Sequence, residues 1–189
     1  MRIHKFRVSG LVGFALLAPQ AVSAHPGGHA AGDLATGLWS GLLHPLTGLD
    51  HVCTMVMVGL LAWQLGGRAL YLVPGAFVTM MALGGAIGAA GISFPFAEVG
   101  IALSMVVLGA VVALGIRLPT AVAMGVVGLF AVFHGYAHGA EMPENAAGVG
   151  YGLGFMLATA VLHAAGIAIG ITITHLRGEL MRPDLATDL

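Results

Sequence analysis

Charge is what this chain has least of. Its 189 residues include only 7 lysines and arginines and 8 aspartates and glutamates, 8% in all and nearly balanced in sign. A surface so poor in ions neither solvates an ordinary soluble domain nor offers the basic stripe that nucleic acid requires. Cysteine is as scarce. Cys53 stands alone, which excludes an internal disulfide and any thiolate metal cluster. No Gly-x4-Gly-Lys-Ser/Thr loop is present for ATP hydrolysis, and no His-Glu-x-x-His of the zinc peptidases.

Apolar residues fill the space instead. They make up 58% of the chain, its mean hydropathy is +0.97, and several apolar stretches are long enough to cross a bilayer. The length leaves room for one domain. The 30 glycines are scattered through the apolar runs, which suits closely packed membrane helices better than a flexible linker.

The N-terminus reads as a secretory signal. Arg2, Lys5 and Arg7 precede an apolar stretch from Val8 to Ala18 and the small-residue tail Ala21-Val22-Ser23-Ala24, a pattern cut after Ala24; an uncleaved anchor is the alternative. The expected organisation is a signal peptide over 1–24, an extracytoplasmic tail with His25 and His29 over 25–33, a helical transmembrane domain over 34–176 and a cytoplasmic tail over 177–189. A free amine at His25 with the ring of His29 could chelate a metal, or the tail could be inert.

The expected fold is all-α, a polytopic membrane helical bundle. About five transmembrane helices are expected, at Pro45–Leu65, Ala69–Ala90, Ala97–Ile116, Pro119–His138 and Val149–His175. A short interfacial or re-entrant helix, Leu34–Leu43, precedes them. Pro45 divides the first apolar stretch, because proline suits the first turn of a helix and biases the residue before it away from helix. His44 then becomes an N-cap whose ring can fold back over Asp50. The pairs Gly84/Gly88 and Gly166/Gly170 mark close helix approaches. Arg68, Arg117, Arg177 and Arg182 all follow odd-numbered spans, so the positive-inside rule places them in the cytoplasm. The mature N-terminus is then periplasmic, the C-terminus cytoplasmic, and the setting a bacterial inner membrane.

In so apolar a chain, grouped ionisable residues are functional candidates. Two groups occur: His44-Pro45-Leu46-Thr47-Gly48-Leu49-Asp50-His51, and Phe133-His134-Gly135-Tyr136-Ala137-His138-Gly139-Ala140-Glu141. Imidazole with carboxylate suits a borderline divalent metal such as nickel, cobalt or zinc. His134 and His138 are four residues apart and share a helix face, with Glu141 one further turn along it. Asp50 could ligate directly or orient a ligating imidazole. Glu98 opens the third span on the same side, and the expected topology brings all seven groups to one depth. His163 sits alone in mid-span, as a packing residue or an ion's waypoint. Met55, Met57, Met80 and Met81 could be soft ligands, though filling core gaps is their ordinary use.

The His-x5-Asp-His spacing of His44, Asp50 and His51, followed by the run from Phe133 to Glu141, resembles the signature of the HupE/UreJ family. The resemblance covers nearly the whole chain, with no departure inside either motif. Its members are regarded as nickel, and in some cases cobalt, permeases serving hydrogenase or urease maturation. The resemblance implies Ni2+ uptake from the periplasm, with His44, Asp50, His51, His134, His138 and Glu141 handling the metal, and does not by itself separate nickel from cobalt.

Two other readings remain. A membrane metal-dependent hydrolase could hold a water on His134, His138 and Glu141, against which stands the absence of any nucleophile motif. A bis-histidine haem protein could use His51, His134 and His163. The transport reading needs neither catalysis nor a prosthetic group. Its partners are the divalent ion and the bilayer; homo-oligomerisation and ion coupling stay open.

Overall fold

The computed structural model describes residues 33–142 and 146–180; the expected signal peptide, and His25 and His29 of the expected tail, lie outside the described residues. The described residues form α1 (Leu34–Leu43), a 3-10 turn (His44–Leu46), α2 (Leu49–Leu65), α3 (Ala69–Ala89), α4 (Ala97–Ala113), α5 (Thr120–Ala140) and α6 (Ala146–Leu180), with no strand among them. The all-α membrane bundle expected from composition is what forms.

Length sorts the helices into three kinds. α3, α5 and the Ala147–Leu176 stretch of α6 are each long and apolar enough to cross a bilayer alone. At 1.5 Å per residue the 17 residues of α2 reach only about 26 Å, short of the ~30 Å hydrocarbon core. α2 passes as a span only together with α1, the two being bent by 82° at the break. α4, also 17 residues, is apolar but equally short. The five expected crossings therefore divide into three full spans, one broken pair and one short helix.

The break corrects the expected start of the first span. Asp33 caps α1, its Oδ1 accepting the Thr36 N–H at 2.8 Å, and that bond holds its carboxyl below the usual range. His44 stays right-handed helical (φ −54°, ψ −51°) as the C-cap of α1, although it precedes proline. The 3-10 turn accommodates Pro45 in its first positions, and both the Thr47 N–H and its hydroxyl bond the His44 carbonyl, at 3.0 and 2.7 Å. Gly48, extended at φ −111° and ψ 121°, then caps α2. The main helix thus begins at Leu49, not Pro45, and its N-cap is Gly48, not His44.

Glycine sets the packing. α1 lies on the start of α6, where Gly37 and Gly41 meet the backbone at Ala147 and Tyr151, while Gly150 and Gly154 meet that at Leu34 and Leu38. The seam of α3 and α5 repeats this, with Gly84 and Gly88 against Val132 and Tyr136, and Gly135 and Gly139 against Met81 and Gly85. Gly59 and Gly166 bring α2 onto the middle of α6, and Gly170 receives the Trp63 ring. Both glycine pairs expected from sequence therefore face partner helices. The core between them holds Met55, Val58 and Leu61 of α2, Val73, Phe77 and Met81 of α3, Leu108 of α4 and Val127 of α5. Met55 and Met81 are buried there, with Met57 and Met80 packed alongside. Leu83, Leu103, Leu129, Val161 and Ile169 are exposed, as lipid-facing positions should be.

The α3–α5 seam yields a direct test. A Cβ added at Gly135 would collide with the Met81 backbone, whereas one at Gly125 on the same helix meets nothing within 4 Å. Gly135→Ala should destabilise the protein by about 1–3 kcal/mol, the usual cost of overpacking, and Gly125→Ala should not. Thermal unfolding in detergent should lower the midpoint of the first variant alone; equal midpoints would contradict so close a seam.

Candidate metal centre

Both motifs meet at one end of the bundle. α2 leaves that end and α5 returns to it, so the start of the one faces the finish of the other. The exposed Arg68 and Arg117 sit at the far ends, in the α2–α3 and α4–α5 connections. The result is a hydrogen bond across 87 residues of sequence, with His138 Nε2 2.7 Å from His51 Nε2.

Around that contact the imidazoles form a continuous group. The His44 ring stands edge-on to His138 with centroids 4.8 Å apart, and His51 lies 4.7 Å from His138 and 5.2 Å from His134. Close ring packing between α1 and α6 explains where His44 goes. Instead of folding over Asp50, its ring turns to His138 and Tyr151. His44, His138 and Glu141 can place one ligand atom each within 4.8 Å of one another. Glu141 is exposed, His44 half-buried and His138 buried, so the trio opens outward. His138 also borders an apolar recess of about 300 Å3 between α3, α5 and α6.

Asp50 faces His51, its Oδ1 2.8 Å from Nδ1. The carboxylate accepts, so His51 carries its proton on Nδ1 and keeps a lone pair on Nε2. That is the orienting role, and it is the usual arrangement behind a ligating histidine. Metal–nitrogen bonds of about 2.0–2.1 Å place neighbouring ligand nitrogens about 3 Å apart. The His51–His138 pair therefore needs only a small widening to hold a cation.

His134 lies deeper and is fully buried. Its Nε2 is 2.9 Å from Ser104 Oγ on α4, and its Nδ1 has no partner. Beyond it, the Phe77 ring stands between His134 (centroids 6.0 Å) and His163 (5.1 Å). His163 is buried with neither nitrogen partnered.

Six of the expected residues, His44, Asp50, His51, His134, His138 and Glu141, thus come together, and His163 lies one ring further in. Glu98 does not join them; it is exposed in the first turn of α4. Cys53 is exposed and free. Sequence reasoning passed over Ser104, Tyr151 and Phe77. Ser104 did carry a signal, as the single hydroxyl within the apolar run of α4; Tyr151 and Phe77 carried none apart from ordinary helical spacing.

The comparisons with known proteins follow the same residues. No solved structure matches the chain. The chain is 48% identical over 155 residues to protein HupE of Rhizobium leguminosarum bv. viciae, covering 82% of this chain and 78% of that protein. A family model described as HupE / UreJ protein matches residues 13–184, which take in both motifs and every described helix. On that match and that identity, this multi-pass membrane protein belongs to the HupE/UreJ family.

Proposed function

We propose that the chain is a transition-metal permease, carrying Ni2+ from the periplasm to the cytoplasm across the bacterial inner membrane. One observation carries the reading: four imidazoles and two carboxylates from segments far apart in sequence converge at one end of an apolar bundle. Placing such groups in hydrocarbon is costly, so a purely structural origin is a poor account of them. Membership of the HupE/UreJ family, whose members are regarded as nickel and cobalt permeases, supports the same conclusion.

The ion sheds water at the outward-opening trio of His44, His138 and Glu141. His138 belongs to this trio and also touches His51, so it can pass the cation inward without leaving it bare. His51, oriented by Asp50, and the unpartnered Nδ1 of His134 are the next ligands. Past Phe77, His163 offers two unpartnered nitrogens. Towards the end of α2, Gln64 bonds the Val112 carbonyl through Nε2 at 2.8 Å and leaves its buried Oε1 unpartnered. These atoms mark out the inward path. The imidazoles select borderline divalent ions over Mg2+ and Ca2+. With few acids along the path, facilitated diffusion is the economical mechanism.

Ni2+ influx into proteoliposomes tests the proposal, with Co2+ and Zn2+ as competitors. Wild type should show saturable influx and His134→Ala none; binding without influx in the wild type would remove the transport reading. If Co2+ competes more strongly than unlabelled Ni2+, the cargo is cobalt. Asp50→Asn keeps the side chain's shape but weakens its hold on His51. It should lower Ni2+ affinity roughly 10–100-fold, read by titration calorimetry, while His51→Ala should lower it further. Equal affinities for wild type and Asp50→Asn would show that His51 is not a ligand.

A further inference from the structure

We infer that Ser104 is a positioning residue for the metal path, fixing His134 as its Nε2–H tautomer so that Nδ1 is the atom offered to the ion. The inference rests on the permease reading and adds to it a residue outside both motifs.

Ser104 has one proton and three polar neighbours. Its Oγ lies 2.6 Å from the Ile101 carbonyl, 2.9 Å from His134 Nε2 and 3.4 Å from Thr54 Oγ1. A carbonyl only accepts, so the shortest contact takes the serine proton. Ser104 then has only lone pairs left for its other two neighbours. His134 Nε2 must therefore be the donor, and Thr54 donates as well. No other distribution of protons makes all three contacts hydrogen bonds.

A neutral imidazole carries one ring proton. With that proton on Nε2, the other nitrogen holds a bare lone pair. This is the Nδ1 that is buried without a partner in the structure. An unpaired buried acceptor is normally avoided, and here the Ser104 network prevents the ring from escaping into the other tautomer. His51 and Asp50 show the same device with the nitrogens exchanged. There the carboxylate holds Nδ1–H and frees Nε2. Ser104 on α4 and Asp50 on α2 thus prepare neighbouring rings, whose centroids are 5.2 Å apart, to present lone pairs.

The test uses the full chain in detergent with 15N-labelled histidine. In the metal-free wild type, His134 should be protonated at Nε2. In Ser104→Ala its two tautomers should mix, and Ni2+ affinity by calorimetry should fall about 10–100-fold, the usual effect of losing a residue that orients a ligand. Protonation of wild-type His134 at Nδ1 would overturn the inference, and this arm stands even if Ser104→Ala does not fold. A Ser104→Ala protein that binds Ni2+ as tightly as wild type would also overturn it, as would weakened binding with the tautomer unchanged. Those outcomes leave the permease intact. A wild type that binds no Ni2+ overturns the permease reading, and the inference with it.

Discussion

A hydrogen bond between two neutral imidazoles requires one ring to donate and the other to accept. The 2.7 Å contact between His51 and His138 imposes that division on this site. Asp50 holds the His51 proton on Nδ1, so His51 accepts at Nε2 and His138 donates. The remaining lone pair of His138, on Nδ1, then faces the Tyr151 hydroxyl at a long 3.5 Å. A divalent ion could take the place of this hydrogen bond, accepting a lone pair from each Nε2, once the His138 proton has moved to Nδ1 beside the Tyr151 oxygen. The site is therefore held together by bonds that a metal can exchange one at a time.

Such exchange needs the rings within a few ångströms of one another, and the glycines make that distance attainable. Gly135 and Gly139 flank His138 on α5 and let the α3 backbone come against α5, while Gly41 and Gly154 do the same for α1 and α6 below His44. Helices packed through larger side chains sit 8–10 Å apart, a separation at which these rings would not all meet. In hydrocarbon no hydrophobic force drives helices together, so close van der Waals contact has to do so. Small residues thus contribute both the packing energy and the geometry of the site.

That division of labour explains what could be read in the sequence. The two motifs were legible because charge is so rare here that six ionisable groups stand out. Their convergence followed from counting spans, since an even number of crossings, α2 to α5, separates the start of α2 from the end of α5. Gly84/Gly88 and Gly166/Gly170 were legible by spacing alone. The position of the bend was not. Proline at the start of a helix and proline within a 3-10 turn have the same local sequence, and it is Gly48, extended before Leu49, that decides between them. The outlying Glu98 misled because helix depth says nothing about direction around the axis. Ser104 was invisible to motif reasoning because its role depends on three contacts, two of them made with other helices.

The unpartnered atoms are the part of the molecule that stability alone explains least. Among the described residues, the buried side-chain atoms without a hydrogen-bond partner are His134 Nδ1, both nitrogens of His163 and Gln64 Oε1. Each such atom costs about 1–3 kcal/mol relative to one that is satisfied, and apolar replacements of similar size would remove that cost. Their order along α2 is informative. His134 packs beside His51 in the first turn, the backbone of His163 lies against Gly59 in the middle, and Gln64 stands at the end. All are acceptors or can become so, and none is a carboxylate that would trap a divalent ion. A conducting path needs ligands strong enough to replace water but weak enough to release the ion. In the proposed path, neutral nitrogen and amide oxygen lie below an outer trio with one carboxylate, so the negative charge would sit where the ion is captured and affinity would decline inward.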